Sequence, residues 1–133
     1  MPAPVKILLV DDHADFMETL AFYLAKFPQV KVMARAASGE EALRRVKAKP
    51  PDLVLLDLMM PGLNGLDTVR QLKSLSKPPR VIILTLFNNA EYGAKACETG
   101  ADGFLGKSEI TTKLFPLIHS LFPDQALPSP ASS

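Results

Sequence analysis

Apolar residues in this chain fall into short runs of two kinds, and their alternation predicts the fold. The run from Val5 to Val10 is unbroken enough for a strand covered on both faces, and Asp11-Asp12-His13 ends it. Phe16, Leu20, Leu24 and Phe27 then recur at helical spacing, flanked by Met17 and Tyr23, until Pro28 stops the pattern. Val30 to Ala36 alternates like a half-buried strand. Ser38-Gly39-Glu40-Glu41 has the spacing of a capping box, and Ala42, Leu43 and Val46 give the following helix an inward face up to Pro50-Pro51. Leu53 to Leu56 is a continuous apolar strand that closes on Asp57. Pro61-Gly62 and Asn64-Gly65 turn the chain into a third helix through Leu66, Val69, Leu72 and Leu75, which ends before Pro78-Pro79.

Val81 to Leu84 is the next strand and closes on Thr85. Asn88 or Asn89 caps a short helix through Ala90, Ala94 and Cys97 that ends at Gly100. Gly103 to Gly106 is a last short strand leading to Lys107. From about Glu109 a final helix presents Ile110, Leu114, Leu117, Ile118 and Leu121, with Pro116 expected to kink it on its outer side. Strand and helix thus alternate five times, which predicts an α/β fold: a doubly wound five-stranded parallel sheet between two helical layers. The Pro/Ser-rich stretch 124–133 lacks periodicity and reads as a flexible tail or linker stub after a domain over residues 1–123.

Composition narrows the function classes. A charged fraction of 22% and a net charge of +1, with basic residues scattered, supply no electrostatic footprint for nucleic acid or membrane. The lone Cys97 and the lack of a long apolar run fit a reduced, cytoplasmic protein.

The informative polar residues stand at strand exits: Asp11 and Asp12, Asp57, Thr85 and Lys107. In an open parallel sheet these ends share one edge, and with strand order 2-1-3-4-5 the acids of the first and third strands meet. Carboxylates so placed repel unless a cation joins them, and Mg²⁺ suits an all-oxygen set better than zinc does. His13, beside the acidic pair, reads as a helix cap or surface residue rather than a ligand. Such a crevice suits phosphoryl transfer, with Asp57 as nucleophile, Asp11 and Asp12 on the metal, Thr85 bonding a phosphoryl oxygen and Lys107 neutralising its charge.

The segments Val10-Asp11-Asp12, Leu56-Asp57-Leu58-Met59-Met60-Pro61-Gly62 with Asn64-Gly65, Leu84-Thr85, and Gly100-Ala101-Asp102-Gly103-Phe104-Leu105-Gly106-Lys107 resemble the receiver domain of two-component response regulators. That family has a flavodoxin-like three-layer fold related to the chemotaxis regulators. The resemblance implies a signalling switch rather than a turnover enzyme, phosphorylated on Asp57 by a sensor histidine kinase or histidine phosphotransfer protein. It adds the Met59 backbone carbonyl to the Mg²⁺ ligands and makes Thr85 and Phe104 the switch pair. The Leu-Thr and Gly-Ala-Asp-Gly-Phe segments resemble receivers that precede a LuxR-type helix-turn-helix.

Leu86 stands where the family has a small residue, which narrows access to the pocket, and Ser108 stands where proline is frequent. Met59 and Phe87, both apolar, occupy the positions that gate hydrolytic water, so a long-lived phosphoryl state is expected. Phe22 lies opposite the inward stripe of its helix, and Phe115 and Phe122 lie at the margin of the last one. They would mark a dimer or partner surface on the first and last helices. The competing readings are a phosphorylation-independent pseudo-receiver that binds partners, and a dehalogenase-like hydrolase. The hydrolase needs a second acid where this chain has Met59.

Overall fold

The computed structural model describes residues 4–57, 65–85, 94 and 98–123. In chain order the elements are β1 (Val5–Val10), α1 (Ala14–Leu24), β2 (Val30–Ala36), α2 (Gly39–Ala48), β3 (Leu53–Asp57), α3 (Gly65–Lys73), β4 (Arg80–Thr85) and β5 (Gly103–Gly106). A 3₁₀ turn (Lys107–Glu109) then leads into α4 (Ile110–Leu121). All strand pairs are parallel, as the alternation predicts, and the order is β2-β1-β3-β4-β5, the one that places the ends of the first and third strands side by side. Of the predicted helix ending at Gly100, Ala94 and Glu98 are helical, while its asparagine cap and Cys97 lie outside the described residues, as do residues 58–64 and 124–133.

Period-two alternation sorts the strand side chains into two cores, one on each face of the sheet. Ile7, Leu9, Leu53, Leu55, Ile82 and Leu84 pack against α1 and α4 residues such as Leu20, Leu24, Leu114 and Ile118. Leu8, Val10, Val54, Leu56, Val81 and Ile83 pack against Leu43 and Val46 of α2 and Val69 and Leu72 of α3. Both faces of β1, β3 and β4 are therefore apolar, and polarity is confined to the strand ends, where ligands of such sheets bind.

Local details depart from expectation where tertiary contacts compete with sequence pattern. Helix α1 ends at Leu24, ahead of Phe27, because Lys26 and Phe27 donate to Tyr23 and Leu24 in tight i to i−3 bonds. Phe27 still reaches the core, its ring centroid 4.5 Å from that of Phe115. Phe115 is buried in that stack and does not sit at a helix margin, whereas Phe122 is half-buried against the same core. Phe22 is 72% exposed, with the Lys26 Nζ 5.4 Å from its ring centre. The capping box is displaced by one residue: Glu41 N–H donates to Ser38 Oγ at 3.2 Å, but the Glu41 carboxylate accepts from Ala37 N–H. Pro116 lies inside α4 on its exposed side, as expected. No cis peptide occurs among the described residues. No described helix is long and apolar enough to cross a membrane.

The far edge of the sheet is pinned by Asp102, which precedes β5. Its carboxylate accepts from Val81 N–H at 2.8 Å, Lys73 Nζ at 2.9 Å and the Arg80 guanidinium at 3.1 Å. Just before it, Gly100 has φ 98°, a left-handed conformation that a side chain would strain. Burial works against the Asp102 charge, but the Lys73 hydrogen bond, the Val81 N–H and the Lys73 and Arg80 cations outweigh it, so its pKa lies below the ordinary carboxylate value. Asp102→Asn is expected to lower stability by about 1–2 kcal/mol at neutral pH in urea unfolding. Because the folded pKa is depressed, that contribution is present above the unfolded carboxylate pKa and is lost as pH falls through the folded one. The difference between wild type and variant should therefore shrink on acidification.

Candidate metal and phosphoryl site

The β1/β2 ladder continues one step past the strand, with Asp11 N–H donating to the Ala36 carbonyl at 3.0 Å. This fixes the Asp11 backbone, and its Oδ1 then accepts from His13 N–H at 2.9 Å, a side-chain turn that starts α1. Asp57 ends β3 in register with Leu84, and Thr85 ends β4 in register with Gly106. Lys107 follows in the 3₁₀ turn, which is held by the Glu109 carboxylate accepting from Gly106 N–H at 3.1 Å. Four strand ends thus deliver their polar residues to one edge.

Asp11, Asp57 and Thr85 are all buried there. The Lys107 Nζ donates to Asp11 Oδ2 at 2.7 Å and lies 3.6 Å from Asp57 Oδ2. Burial opposes the Asp11 charge, yet the Lys107 hydrogen bond, the His13 N–H and ring and the Lys107 charge together hold its pKa below the ordinary carboxylate value. Asp57 Oδ2 faces Lys107 and His13 at 3.6 and 3.8 Å, too far for a hydrogen bond to either.

Sequence reasoning undervalued two side chains. His13 holds the N-cap position of α1 but makes no side-chain cap bond. Its Nδ1 instead lies 3.0 Å from Asp11, 3.2 Å from Asp12 and 3.8 Å from Asp57. The Asp11 hydrogen bond and the Asp11 and Asp12 charges raise its pKa above the ordinary imidazole value. Phe16, assigned only to the inward stripe of α1, places its ring face 4.2 Å from the Lys107 Nζ. The signal for His13 was its adjacency to the acidic pair; Phe16 and Lys107 are far apart in sequence, and no local pattern links them.

The donor chemistry fits a hard divalent cation. One ligand atom from each of Asp11, Asp12, His13 and Asp57 falls within 4.8 Å of all the others. The three carboxylates already gather around the Nδ1 edge of the His13 imidazole. Met59, Leu86 and Phe87 lie outside the described residues. Phe104, on β5, is half-buried against the α2/α3 core. A cavity of about 550 Å³ between α1 and β2 touches none of these groups.

Comparison with known proteins agrees with this architecture. Residues 7–119 match the model of the response regulator receiver domain. The chain is 34% identical over 116 residues to the nitrate/nitrite response regulator protein NarL of Escherichia coli, covering 87% of this chain and 54% of that protein. It spans about half the length of such relatives. A LuxR-family two-component response regulator from Aurantimonas superposes with a TM-score of 0.84 at 30% identity, covering 96% of this chain and 91% of that one. A chain from the complex of the CheA3 P1 domain with CheY6 of R. sphaeroides gives 0.74 at 31% identity, with 88% and 98% covered. With strand order, strand-end chemistry and sequence in agreement, the chain belongs to the response regulator receiver domain family of two-component systems.

Proposed function

We propose that this receiver is a phosphorylation switch in which Asp57 accepts a phosphoryl group from a phosphohistidine on a sensor kinase or phosphotransfer protein. The supporting observation is the convergence of Asp11, Asp12, Asp57 and Lys107 in one crevice. An Asp57 carboxylate oxygen attacks phosphorus, the P–N bond breaks, and its electron pair leaves with the donor imidazole. Asp11, Asp12 and Asp57, with the Met59 carbonyl, would hold Mg²⁺, which when bound neutralises charge on the transferring oxygens. Lys107, 2.7 Å from Asp11 and 3.6 Å from Asp57, turns from Asp11 toward the incoming group. His13 gives up its place among the carboxylates.

Thr85 then donates to a phosphoryl oxygen and Phe104 moves inward behind it. The two form the switch, since the group shifts the population only by binding one arrangement better than the other. The solved complex of the CheA3 P1 domain with CheY6 supports a kinase or phosphotransfer partner. The output is a LuxR-type domain or another chain, docked on the α1/α4 face that displays Phe22.

Incubation with acetyl phosphate tests the reading. Intact mass should rise by one phosphoryl group with Mg²⁺ present and remain unchanged in excess chelator. Equal labelling with and without the metal would remove the role assigned to the carboxylate cluster.

A further inference from the structure

Lys107 is held from more than one side. Its side chain is only 6% exposed, and one N–H is committed to Asp11 at 2.7 Å. The Phe16 ring centre is 4.2 Å from the same nitrogen, well within the range at which an aromatic face attracts a cation. The ring is half-buried and packs on the α1/α4 core, so its orientation is set by neighbours rather than by the ammonium. Phe16 and Lys107 also share the wall of a cavity of about 220 Å³ with Leu20, Tyr23 and Ile110. Through that opening the ammonium could otherwise turn toward water.

We propose that Phe16 is a positioning residue for phosphoryl transfer: its ring face keeps the Lys107 ammonium in the crevice as the hydrogen bond to Asp11 is exchanged for one to the phosphoryl group. The inference rests on Asp57 being the acceptor. An aromatic face suits this task because its attraction is broad across the ring, whereas a second carboxylate would fix the ammonium at one point. A leucine at the same place would fill space and leave the cation without that attraction.

The test compares wild type with Phe16→Leu, Phe16→Tyr and the chain carrying 3,4,5-trifluorophenylalanine at position 16. The fluorinated ring keeps nearly the same shape while cancelling the negative face. Initial rates of Asp57 labelling by acetyl phosphate with Mg²⁺ should fall about three- to tenfold in the leucine and trifluoro chains and stay near wild type with tyrosine. By NMR, the Lys107 ε-methylene protons should lie upfield of other lysines in wild type, shifted by the ring, and return in Phe16→Leu. A trifluoro chain that is labelled at the wild-type rate would overturn the inference even if Phe16→Leu fails to fold. Unshifted Lys107 protons beside normal labelling would overturn it too, and leave Asp57 as acceptor intact. If wild type takes no label at all, the acceptor reading fails and the positioning role fails with it.

Discussion

Asp57→Asn is expected to take no phosphoryl group from acetyl phosphate or a phosphohistidine donor, with labelling below detection by intact mass, while the chain stays folded. Asparagine has nearly the same shape, so the backbone ladder that pairs residue 57 with Leu84 is kept. What goes is the nucleophile: a neutral amide oxygen does not displace a donor from phosphorus at a useful rate. Asp11 is not expected to substitute, because its oxygens serve Lys107 and His13 before transfer and are assigned to Mg²⁺ during it. A circular-dichroism melt close to that of wild type would show that loss of labelling is chemical. Residual labelling at a tenth of the wild-type rate would mean that another carboxylate is the acceptor.

Lys107→Met is expected to act on both stability and transfer. Lys107 and Asp11 are 6% and 4% exposed, so removing the ammonium leaves a buried carboxylate short of a counter-ion. The cost in urea unfolding should be about 2–3 kcal/mol, at or below the low end for a broken buried pair, since the His13 N–H and ring still serve Asp11. Transfer should slow by about a hundredfold, the usual consequence of deleting one preorganised charge beside a developing anion. The two effects separate: stability is read without donor, and transfer is read at a urea-free temperature where both chains are folded. A variant as stable as wild type would show that the 2.7 Å contact contributes little.

The sheet was legible because its physics is local. A fully covered parallel strand needs apolar residues on both faces, and Leu53 to Leu56 and Val81 to Leu84 show that run directly, each closed by the one polar residue the edge requires. Strand order is not written in any local run; the order 2-1-3-4-5 is the one under which Asp11 and Asp57 meet, and the pairing of β1 with β3 brings them together. Phe115 was misplaced because helical spacing puts it at the edge of the inward arc, while the aromatic stack with Phe27 draws it in. The imidazole of His13 reads as a bystander because a residue at a helix start usually caps or faces water, whereas here the ring turns to its neighbours Asp11 and Asp12. Phe16 is invisible as a functional side chain because its partner is supplied by the turn after β5, far downstream in the chain. Among the described residues helix existence survives such effects, and helix ends, as at Leu24, do not.

The central claim concerns one carboxylate, and chemical trapping addresses it directly. Borohydride reduces an aspartyl phosphate to homoserine, so the chain labelled with acetyl phosphate and Mg²⁺ can be reduced, digested and mapped by mass spectrometry. The account predicts homoserine at position 57, in amounts that follow the labelling and vanish when donor or metal is withheld. Homoserine at position 11 or 12, or a labelled chain with position 57 unmodified, would contradict it.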